Sequence, residues 1–495
     1  MAAVRMVFSA EVAPWIVVGD ILGIVVGALP GLTATMGMAL VLPLSYHMSP
    51  AAAMGLMLGV YFGAVTGASI PAILFGIPGN PNAIATVYDG KALADRGEAG
   101  IALGTAVVAS FLGGLGSMLV LFVASAPLAY LALAFGPAEY FSLAASALTV
   151  VAATSGASVR RGVLACLVGV ALATVGVDSV SGVPRFWFGN VYLLKGLSVI
   201  PALIGLFGIA QVLEDLHRTR QAPAQVVMPK LGRLLPGAGW FVRRWRIILE
   251  SLGVGTLIGA LPGAGASVGV VLAYERARQR SPHPEQFGKG ALEGVLAPEV
   301  ANNACIGGGL IPTLALGIPG EAAGVVLIAA LLLHGVVPGP LMFEAHRSLV
   351  YAIFAAMVLA NLTTSLFQIA GVRVFAKTLA LPPYALSLVI LLLSLVGAYA
   401  IDGSVFDAAV ALGFGALGWW MRRAGYPVIP LVLGLVLGPI LESEFRRAVV
   451  LAGGSYATFV TRPLSLVLLM LGAMSLGRGA WGRRLRFRLA SGSGA

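Results

Sequence analysis

The sequence predicts an all-α polytopic membrane protein made of two inverted-topology repeats, each with a re-entrant hairpin and a helix broken by proline and glycine. Three observations lead to this prediction. The 495 residues are 59% hydrophobic and 10% charged, with a mean hydropathy of +0.95. Apolar runs alternate with short polar joints along nearly the whole chain. Two different words containing Pro-Gly recur, in the same order, in the two halves.

The composition excludes an ordinary soluble domain, in which about a quarter of the residues are charged. At about 20 residues for each membrane segment, the apolar runs make roughly eleven to thirteen segments, and the lack of period-two alternation excludes a β-barrel. The net charge of +11 lies in the joints, which indicates topology rather than nucleic-acid binding. Cys166 and Cys305 lie in apolar runs without neighbouring ligands, so we expect packing roles and neither a metal nor a disulfide.

The second hairpin is predicted from an apolar stretch, 246–275, that has arginines at both ends. From Arg246 to Leu261 the chain could form about 24 Å of helix, which is short of a hydrocarbon core of about 30 Å. A chain that enters from the cytoplasm could therefore turn at Pro262-Gly263 and return. The same pattern predicts a first hairpin at 12–46, with its tip at Pro30-Gly31.

Five spans are predicted between the hairpins, near 54–75, 100–124, 139–156, 162–178 and 196–213. Because five is odd, the second hairpin enters from the opposite face, which is the inverted arrangement of many secondary transporters. Further spans are predicted near 294–316, 348–371, 382–400 and 404–420, with shorter segments near 427–441 and 450–477. The stretch 321–340, interrupted by Gly335, Pro338 and Pro340, is predicted not to span.

This layout divides the chain into a first repeat (12–213), a cytoplasmic linker (214–245), a second repeat (246–477) and a basic cytoplasmic tail (478–495). It places 24 of the 31 Lys and Arg residues in cytoplasmic joints. This bias predicts a periplasmic N-terminus and a cytoplasmic C-terminus in a bacterial inner membrane.

The repeated words identify the expected site. "GALPGLTATMG" at 27–37 and "GALPGAGASVG" at 259–269 agree at seven of eleven positions, and "IPAILFGIPG" at 70–79 and "IPTLALGIPG" at 311–320 agree at six of ten. Proline and glycine there break helices and free backbone N–H and C=O groups near the membrane interior. Freed N–H groups attract carboxylates and freed carbonyls attract Na⁺, so a copied break predicts a copied part of a binding site. The predicted helix breaks are Gly76, Pro78, Gly79, Gly317, Pro319 and Gly320.

Polar groups beside the breaks are the candidate ligands, because hydroxyls and amides orient a carboxylate without burying a charge. The substrate- and ion-binding candidates are Pro30, Gly31, Thr33, Thr35, Thr66, Ser69, Pro262, Gly263, Gly265, Ser267, Glu299, Asn302, Asn303 and Thr313. Ordinary roles stay open for them: glycines permit close helix packing, and hydroxyls bond back to their own helices. Glu299 either serves a cation or a proton or braces a hairpin. For Asp20, in the first arm, a structural pairing is expected.

The words "GALPGLTATMG" and "GIPGNPNAIATVYDG", and above all "APEVANNACIGGGLIPTLALGIPG" at 297–320, resemble the large membrane subunit of tripartite tricarboxylate transporters, the TctA family. The resemblance runs from about residue 15 to about residue 470 and includes "LVLGLVLGPILE" at 431–442. It implies a permease that imports carboxylates on a Na⁺ or H⁺ gradient and needs no other cofactor. It also implies two partners, a small four-helix membrane subunit and a periplasmic solute-binding protein.

Two other functions remain open on the residues alone. A passive channel, or another secondary transporter with inverted repeats, would have the same pattern of spans and breaks. The segment Gly265–Gly269 also satisfies G-x-S-x-G, the nucleophile pattern of serine hydrolases. That pattern needs a preceding strand and a histidine partner, and neither is evident, so we do not expect an enzyme. Nothing in the sequence specifies which carboxylate is carried.

Overall fold

The computed structural model describes residues 2–154, 158–178, 180–218, 231–262, 265–377 and 383–491. Across these ranges the protein is almost entirely helical, and the strands are limited to one antiparallel pair, β1 (Gly176–Val177) and β2 (Pro184–Arg185). The predicted all-α class is confirmed.

The first half contains eleven α-helices in its described residues. They are α1 (Ala2–Val7), α2 (Ala13–Ala28), α3 (Ala34–Val41), α4 (Pro50–Gly67), α5 (Ser69–Phe75), α6 (Ile84–Asp95), α7 (Ala99–Leu133), α8 (Pro137–Thr154), α9 (Val159–Ala173), α10 (Val199–Leu203) and α11 (Ala210–Arg218). A π-helical turn, Ile204–Ile209, joins α10 to α11, and 3-10 turns lie at Leu42–Ser45, Pro81–Ala83 and Val191–Lys195.

The second half contains twelve α-helices in its described residues. They are α12 (Ala238–Arg243), α13 (Trp245–Ala260), α14 (Ala266–Arg280), α15 (Glu293–Leu316), α16 (Ala322–Leu333), α17 (Met342–Ala345), α18 (Arg347–Ala376), α19 (Pro383–Asp402), α20 (Val405–Arg423), α21 (Val428–Leu451), α22 (Thr458–Thr461) and α23 (Pro463–Ser491). A 3-10 turn lies at Pro284–Gln286.

Six helical stretches within the described ranges are long and apolar enough to cross a membrane. They are Pro50–Phe75, Ala99–Leu133, Val199–His217, Arg347–Ala376, Ala385–Asp402 and Val428–Leu451. Shorter apolar helices include Ala13–Ala28, Ala34–Ser45, Ala322–Leu333 and Pro463–Gly477. With about 20 residues needed for each crossing, the chain is a multi-pass membrane protein.

The structure differs most from the expected span boundaries in three places. Helix α7 continues to Leu133, beyond the predicted end at 124. The fourth predicted span, 162–178, is shorter, because α9 ends at Ala173 and Gly176, with φ +114°, begins the β1–β2 hairpin. At the other end of the chain, α21 continues to Leu451, so the predicted segment 450–477 is interrupted. Gly453 and Gly454, both with positive φ, separate α21 from α22 and α23.

The two halves pack their hairpin helices in the same way. In the first half α2 lies against α4, and in the second half α13 lies against α15. A Cβ added to Gly27 would lie 2.3 Å from the carbonyl oxygen of Ala64, and one added to Gly259 would lie 2.5 Å from that of Cys305. Gly27 and Gly259 begin the first repeated word, and Ala64 and Cys305 each lie six residues before the second, so the halves use the same glycine-mediated helix contact.

Several of the remaining long helices pack against helices of the opposite half, and we call these the exchanged helices. Helix α7 of the first half packs on α13 and α15, and α18 of the second half packs on α2 and α4. In the same manner α21 packs on α8 and α9, while the π-helical turn and α11 pack on α20. A third repeated word accompanies this exchange: "VIPALIGL" at 199–206 and "VIPLVLGL" at 428–435 agree at five of eight positions. The duplication therefore extends to α10–α11 in the first half and α21 in the second.

An ionic cluster connects the β1–β2 hairpin to α21. Arg446 Nη1 donates to Asp178 Oδ2 at 2.6 Å, and the two terminal nitrogens of Arg185 donate to Glu442 at 2.6 and 3.0 Å. The hydroxyl of Ser181, the backbone N–H of Val180 and Arg446 hold the pKa of Asp178 below its usual range. These contacts hold the hairpin against the end of α21.

Candidate functional site

The two hairpin tips interrupt their helices with the same backbone geometry. Helix α2 ends before Leu29 (φ −90°, ψ 115°) and α13 ends before Leu261 (φ −87°, ψ 112°). Gly31 (φ +91°), in the first tip, and Gly265 (φ +72°), beyond the second, take conformations that favour glycine. Pro30 is exposed, Pro262 is half-buried, and Gly263 lies outside the described residues.

The second pair of breaks also matches. Gly76 (φ 70°, ψ 19°) and Gly317 (φ 69°, ψ 19°) end α5 and α15 in the left-handed conformation. The N–H of each glycine donates to the carbonyl of a proline in the repeated word, Pro71 or Pro312. The copied words thus have copied backbone conformations.

Each hairpin tip lies against the second break of its own half. In the first half, the backbone N–H of Gly31 donates to Gly79 O at 3.2 Å. A Cβ on Gly79 would lie 2.5 Å from Gly27 O, and a Cβ on Gly320 would lie 2.6 Å from Gly259 O. Only glycine permits such a close approach of two backbones.

A cavity of about 460 Å³ lies between the two tips. It brings together five of the predicted residues, namely Gly31, Thr33, Thr35, Gly265 and Ser267. The sequence analysis did not predict seven further polar residues that line it, which are Tyr61, Asn80, Asn82, Gln211, Glu321, Arg422 and Tyr426. The cavity therefore combines hydroxyls and amides with one carboxylate and one guanidinium.

Two hydrogen bonds beside the breaks join the two halves across this cavity. The hydroxyl of Tyr61, on α4, donates to the carboxylate of Glu321, which follows the second Gly-Ile-Pro-Gly. The hydroxyl of Ser267, at the start of α14, donates to Asn82 Oδ1 at 2.8 Å. Each half thus contributes a group to the other half's break.

The geometry at Ser267 does not match a serine hydrolase. The segment before Gly265 is a helix, α13, where the nucleophile pattern needs a strand. The hydroxyl bonds to an amide, whereas a nucleophile would need a basic partner.

A second polar cluster lies on α15, away from the cavity lining. Glu299, fully buried, accepts hydrogen bonds from Thr86 Oγ1 at 2.6 Å and Ser110 Oγ at 3.2 Å. Asn303 Oδ1 accepts from Thr66 Oγ1 at 3.1 Å. Asn302 is also buried, but neither of its amide atoms has a hydrogen-bond partner in the described structure. A buried amide without partners is costly, which makes Asn302 the most unusual polar group of this cluster.

Three other predicted residues make side-chain hydrogen bonds to backbone groups three or four residues away. Ser69 donates to Thr66 O at 2.7 Å, Thr313 donates to Gly309 O at 2.6 Å, and Thr33 caps α3 by accepting from Met36 N at 3.3 Å. These contacts favour the structural interpretation for Ser69 and Thr313. Asp20, buried in α2, accepts from both Thr363 and Thr364 of α18, in keeping with the expected structural pairing.

Of the residues that the sequence analysis missed, Asn80, Asn82 and Glu321 directly follow the breaks, and others lie far from the breaks in sequence. Gln368 of α18 donates to Thr66 O at 3.2 Å, where α4 gives way to α5. Gln211 and Arg422 bond to each other at 2.8 Å across the exchanged helices. The third repeated word could have located Gln211, because that word begins twelve residues before it. No sequence signal indicated Arg422.

The described residues contain no cluster of three or more His, Cys, Asp or Glu side chains suited to a metal. Cys166 and Cys305 are both buried and free, as expected for packing roles.

Comparison with known proteins identifies the family. The profile of the "Tripartite tricarboxylate transporter TctA family" matches residues 14–433. The chain belongs to the TctA family. An uncharacterized 52.8 kDa protein in the TAR-I ttuC' 3' region of Agrobacterium vitis is 35% identical over 458 residues, covering 92% of this chain and 91% of the relative. An uncharacterized protein in the TAR-II ttuC' 3' region of the same organism is 36% identical over 218 residues, covering 44% and 90%. No solved structure matches the chain.

Membership of the TctA family confirms the resemblance carried by the words at 27–37, 76–90 and 297–320. TctA is a transporter family, and the multi-pass helical fold agrees with that class. The chain is therefore a membrane subunit of the tricarboxylate-transporter class.

Proposed function

We propose that this TctA protein is the large permease subunit of a tripartite, binding-protein-dependent secondary transporter that imports carboxylates. The observation that carries the proposal is the cavity of about 460 Å³ in which both copied hairpin tips meet. Its hydroxyls, amides and single guanidinium are groups that bind carboxylates. A tricarboxylate or a related acid is the substrate class that the family name favours.

The two halves would be inverted-topology repeats, each with a re-entrant hairpin. Five helical segments, α4–α5, α7, α8, α9 and α10–α11, separate the first hairpin from the second, and three of them, α4–α5, α7 and α10–α11, are long and apolar enough to cross a membrane. Either number is odd, which would put the hairpins on opposite faces. The exchange of α7 with α18 supports this relation, because equivalent helices make equivalent contacts with the opposite half. Alternating access would then move the hairpins about the central cavity.

The coupling ion, Na⁺ or H⁺, would act through the polar cluster on α15. Glu299 is a fully buried carboxylate whose described partners are two hydroxyls rather than a cation. An intramembrane carboxylate of this kind is suited to bind a proton or a small cation. The unpaired amide of Asn302, one helical turn away, offers a further oxygen ligand.

The partners would be a small four-helix membrane subunit and a periplasmic solute-binding protein, as the tripartite family implies. The bacterial inner membrane would hold the complex. The distribution of Lys and Arg favours a periplasmic N-terminus and a cytoplasmic C-terminus.

Reconstitution of the two membrane subunits into vesicles tests this proposal. With an imposed Na⁺ or proton gradient and the binding protein outside, we expect uptake of radiolabelled citrate. Omitting the binding protein should reduce uptake to background, because the described chain has no soluble domain that could capture solute. Full-rate uptake without the binding protein would refute the tripartite mechanism, and uptake indifferent to both gradients would favour the passive channel.

A further inference from the structure

The cavity between the hairpin tips has one cationic side chain among its lining residues, Arg422 at the end of α20. Glu321 is its one carboxylate, and its other polar groups are neutral hydroxyls and amides. A carboxylate that leaves water loses strong hydration, so it needs a charge partner within such a site. Arg422 is the group in this cavity that can supply one.

The guanidinium of Arg422 is held in place from two sides. Its Nη1 donates to Gln211 Oε1 at 2.8 Å, and its Nη2 donates to Leu206 O at 3.2 Å. Leu206 lies in the π-helical turn Ile204–Ile209, and such turns are frequent at functional sites. With five N–H groups, a guanidinium can make these two bonds and still offer donors to a ligand.

Gln211 connects Arg422 to α11 and to the first hairpin tip. Its Nε2 donates to Asp215 Oδ1 at 2.8 Å, which orients the amide oxygen toward Arg422. A Cβ placed on Gly31 would lie 3.4 Å from the same Nε2. Glu214 and Asp215 act electrostatically on Arg422, but neither lines the cavity. These contacts hold the guanidinium beside the tip.

We infer that Arg422 anchors a carboxylate group of the transported substrate, and that Gln211 positions it. This inference rests on the proposed function and specifies which residue recognises the substrate. A half-buried guanidinium binds a carboxylate more strongly than a fully exposed one, because less water screens the pair. The hydroxyl of Thr33, which accepts a hydrogen bond from Met36 N, still has its O–H to donate to the rest of the substrate.

Binding of citrate to the purified chain in lipid nanodiscs tests the inference, with neutral trimethyl citrate as the control ligand. We expect Arg422→Gln to weaken citrate binding roughly ten- to a hundred-fold per folded protein, the range for a hydrogen bond to a charged group. Arg422→Lys should lie between Arg422→Gln and wild type, because it keeps the charge and loses the paired donors. Trimethyl citrate should not bind any of the proteins.

Arg423→Gln is the matched control variant. Arg423 is the next residue of α20, lies outside the cavity and stacks over Trp419 at 5.1 Å. We expect its citrate affinity to stay within about two-fold of wild type, since it loses a cation–π contact and no ligand contact.

Gln211→Glu is a second test that keeps Arg422 itself. The new carboxylate would pair with the guanidinium, so citrate binding should weaken at least ten-fold, even if Arg422→Gln fails to fold. Folded Arg422→Gln or Gln211→Glu protein with wild-type affinity would overturn the inference while leaving the proposed function intact. Wild-type protein that binds neither citrate nor succinate would overturn the proposed function, and this inference with it.

Discussion

The duplication gives Asn302 an equivalent residue in the first half of the chain. Nine residues before the Ile-Pro of each repeated word lie Tyr61 in the first half and Asn302 in the second. Tyr61 reaches across to Glu321, the residue after the second Gly-Ile-Pro-Gly. By the same relation Asn302 would face the turn that follows Asn80, and α15 does pack against that turn, Pro81–Ala83. The duplication therefore predicts that the unpaired amide faces the region between the two halves.

We predict that Asn302→Ala and Asn303→Ala reduce transport far more than they reduce the amount of folded protein. A lost contact with a charged ligand of about 1.5 to 3 kcal/mol should weaken apparent affinity roughly ten- to a hundred-fold. Asn302→Ala should leave stability unchanged, since the amide has no described partner to lose. Asn303→Ala should cost about 1 kcal/mol, because it removes the bond to Thr66.

Asn361→Ala is the matched control for this measurement. Its buried amide donates to Phe111 O at 3.0 Å, so its loss should lower stability and leave affinity unchanged. Uptake for each unit of folded protein, measured against substrate concentration, distinguishes the two effects. If the Asn302 and Asn303 variants lose only yield, as expected for Asn361→Ala, both residues have structural roles.

At the scale of elements, the position of each hairpin depends on close contact between the backbones of two packed helices. Helix α13 approaches α15 so closely that a Cβ on Gly255 or Gly259 would lie 2.3 or 2.5 Å from a carbonyl oxygen of α15. Close approach through small residues is a common way to pack membrane helices, where no hydrophobic effect draws them together. The same contact, repeated between α2 and α4, holds both broken segments in position.

We predict that Gly259→Ala destabilises the protein and that Gly253→Ala does not. The added methyl at 259 would collide with the backbone of Cys305, an overpacking that typically costs 1 to 3 kcal/mol. Gly253 lies on the same helix with nothing within 4 Å of its added Cβ, so alanine there should be neutral or stabilise α13 by up to about 1 kcal/mol. Thermal unfolding of both variants in one detergent measures the difference, and equal midpoints would contradict the proposed contact.

At the scale of the whole molecule, the exchanged helices determine the relation between the halves. If α7 and α18 are equivalent members of inverted repeats, the residues that precede them lie on opposite sides of the membrane. Glu98 and Glu344 are exposed residues in these two positions.

We predict opposite labelling of Glu98→Cys and Glu344→Cys by an impermeant maleimide in intact cells. The distribution of Lys and Arg residues predicts that Glu344 lies outside and Glu98 inside. The native Cys166 and Cys305, the only cysteines of the chain, would first be replaced by alanine. Labelling of both positions from the same side would rule out inverted repeats, and lysed cells serve as the control for accessibility.

The sequence by itself determined the helical membrane class, the positions of the breaks and their duplication. These features depend on local chemistry: hydropathy makes a helix stable in lipid, and Pro and Gly interrupt it wherever they occur. The tip at Gly31 and the paired breaks at Gly76 and Gly317 could therefore be located from short words alone, whereas Gly263, predicted in the second tip, lies outside the described residues. Polar residues within those words, such as Thr33 and Ser267, could be predicted because they lie close to the breaks in sequence.

Only the tertiary structure decided which distant side chains complete the cavity. Arg422 meets Gln211 across 211 residues of sequence because α20 and α11 belong to exchanged halves, and no local pattern encodes that exchange. The same holds for Tyr61 and Glu321, which are 260 residues apart. Tertiary contacts also separated the predicted ligands, since Thr313 and Ser69 turn back to their own helices while Asn302 finds no partner. Local composition limits what a segment can form, whereas the helix-to-helix approach that glycine permits determines which segments meet.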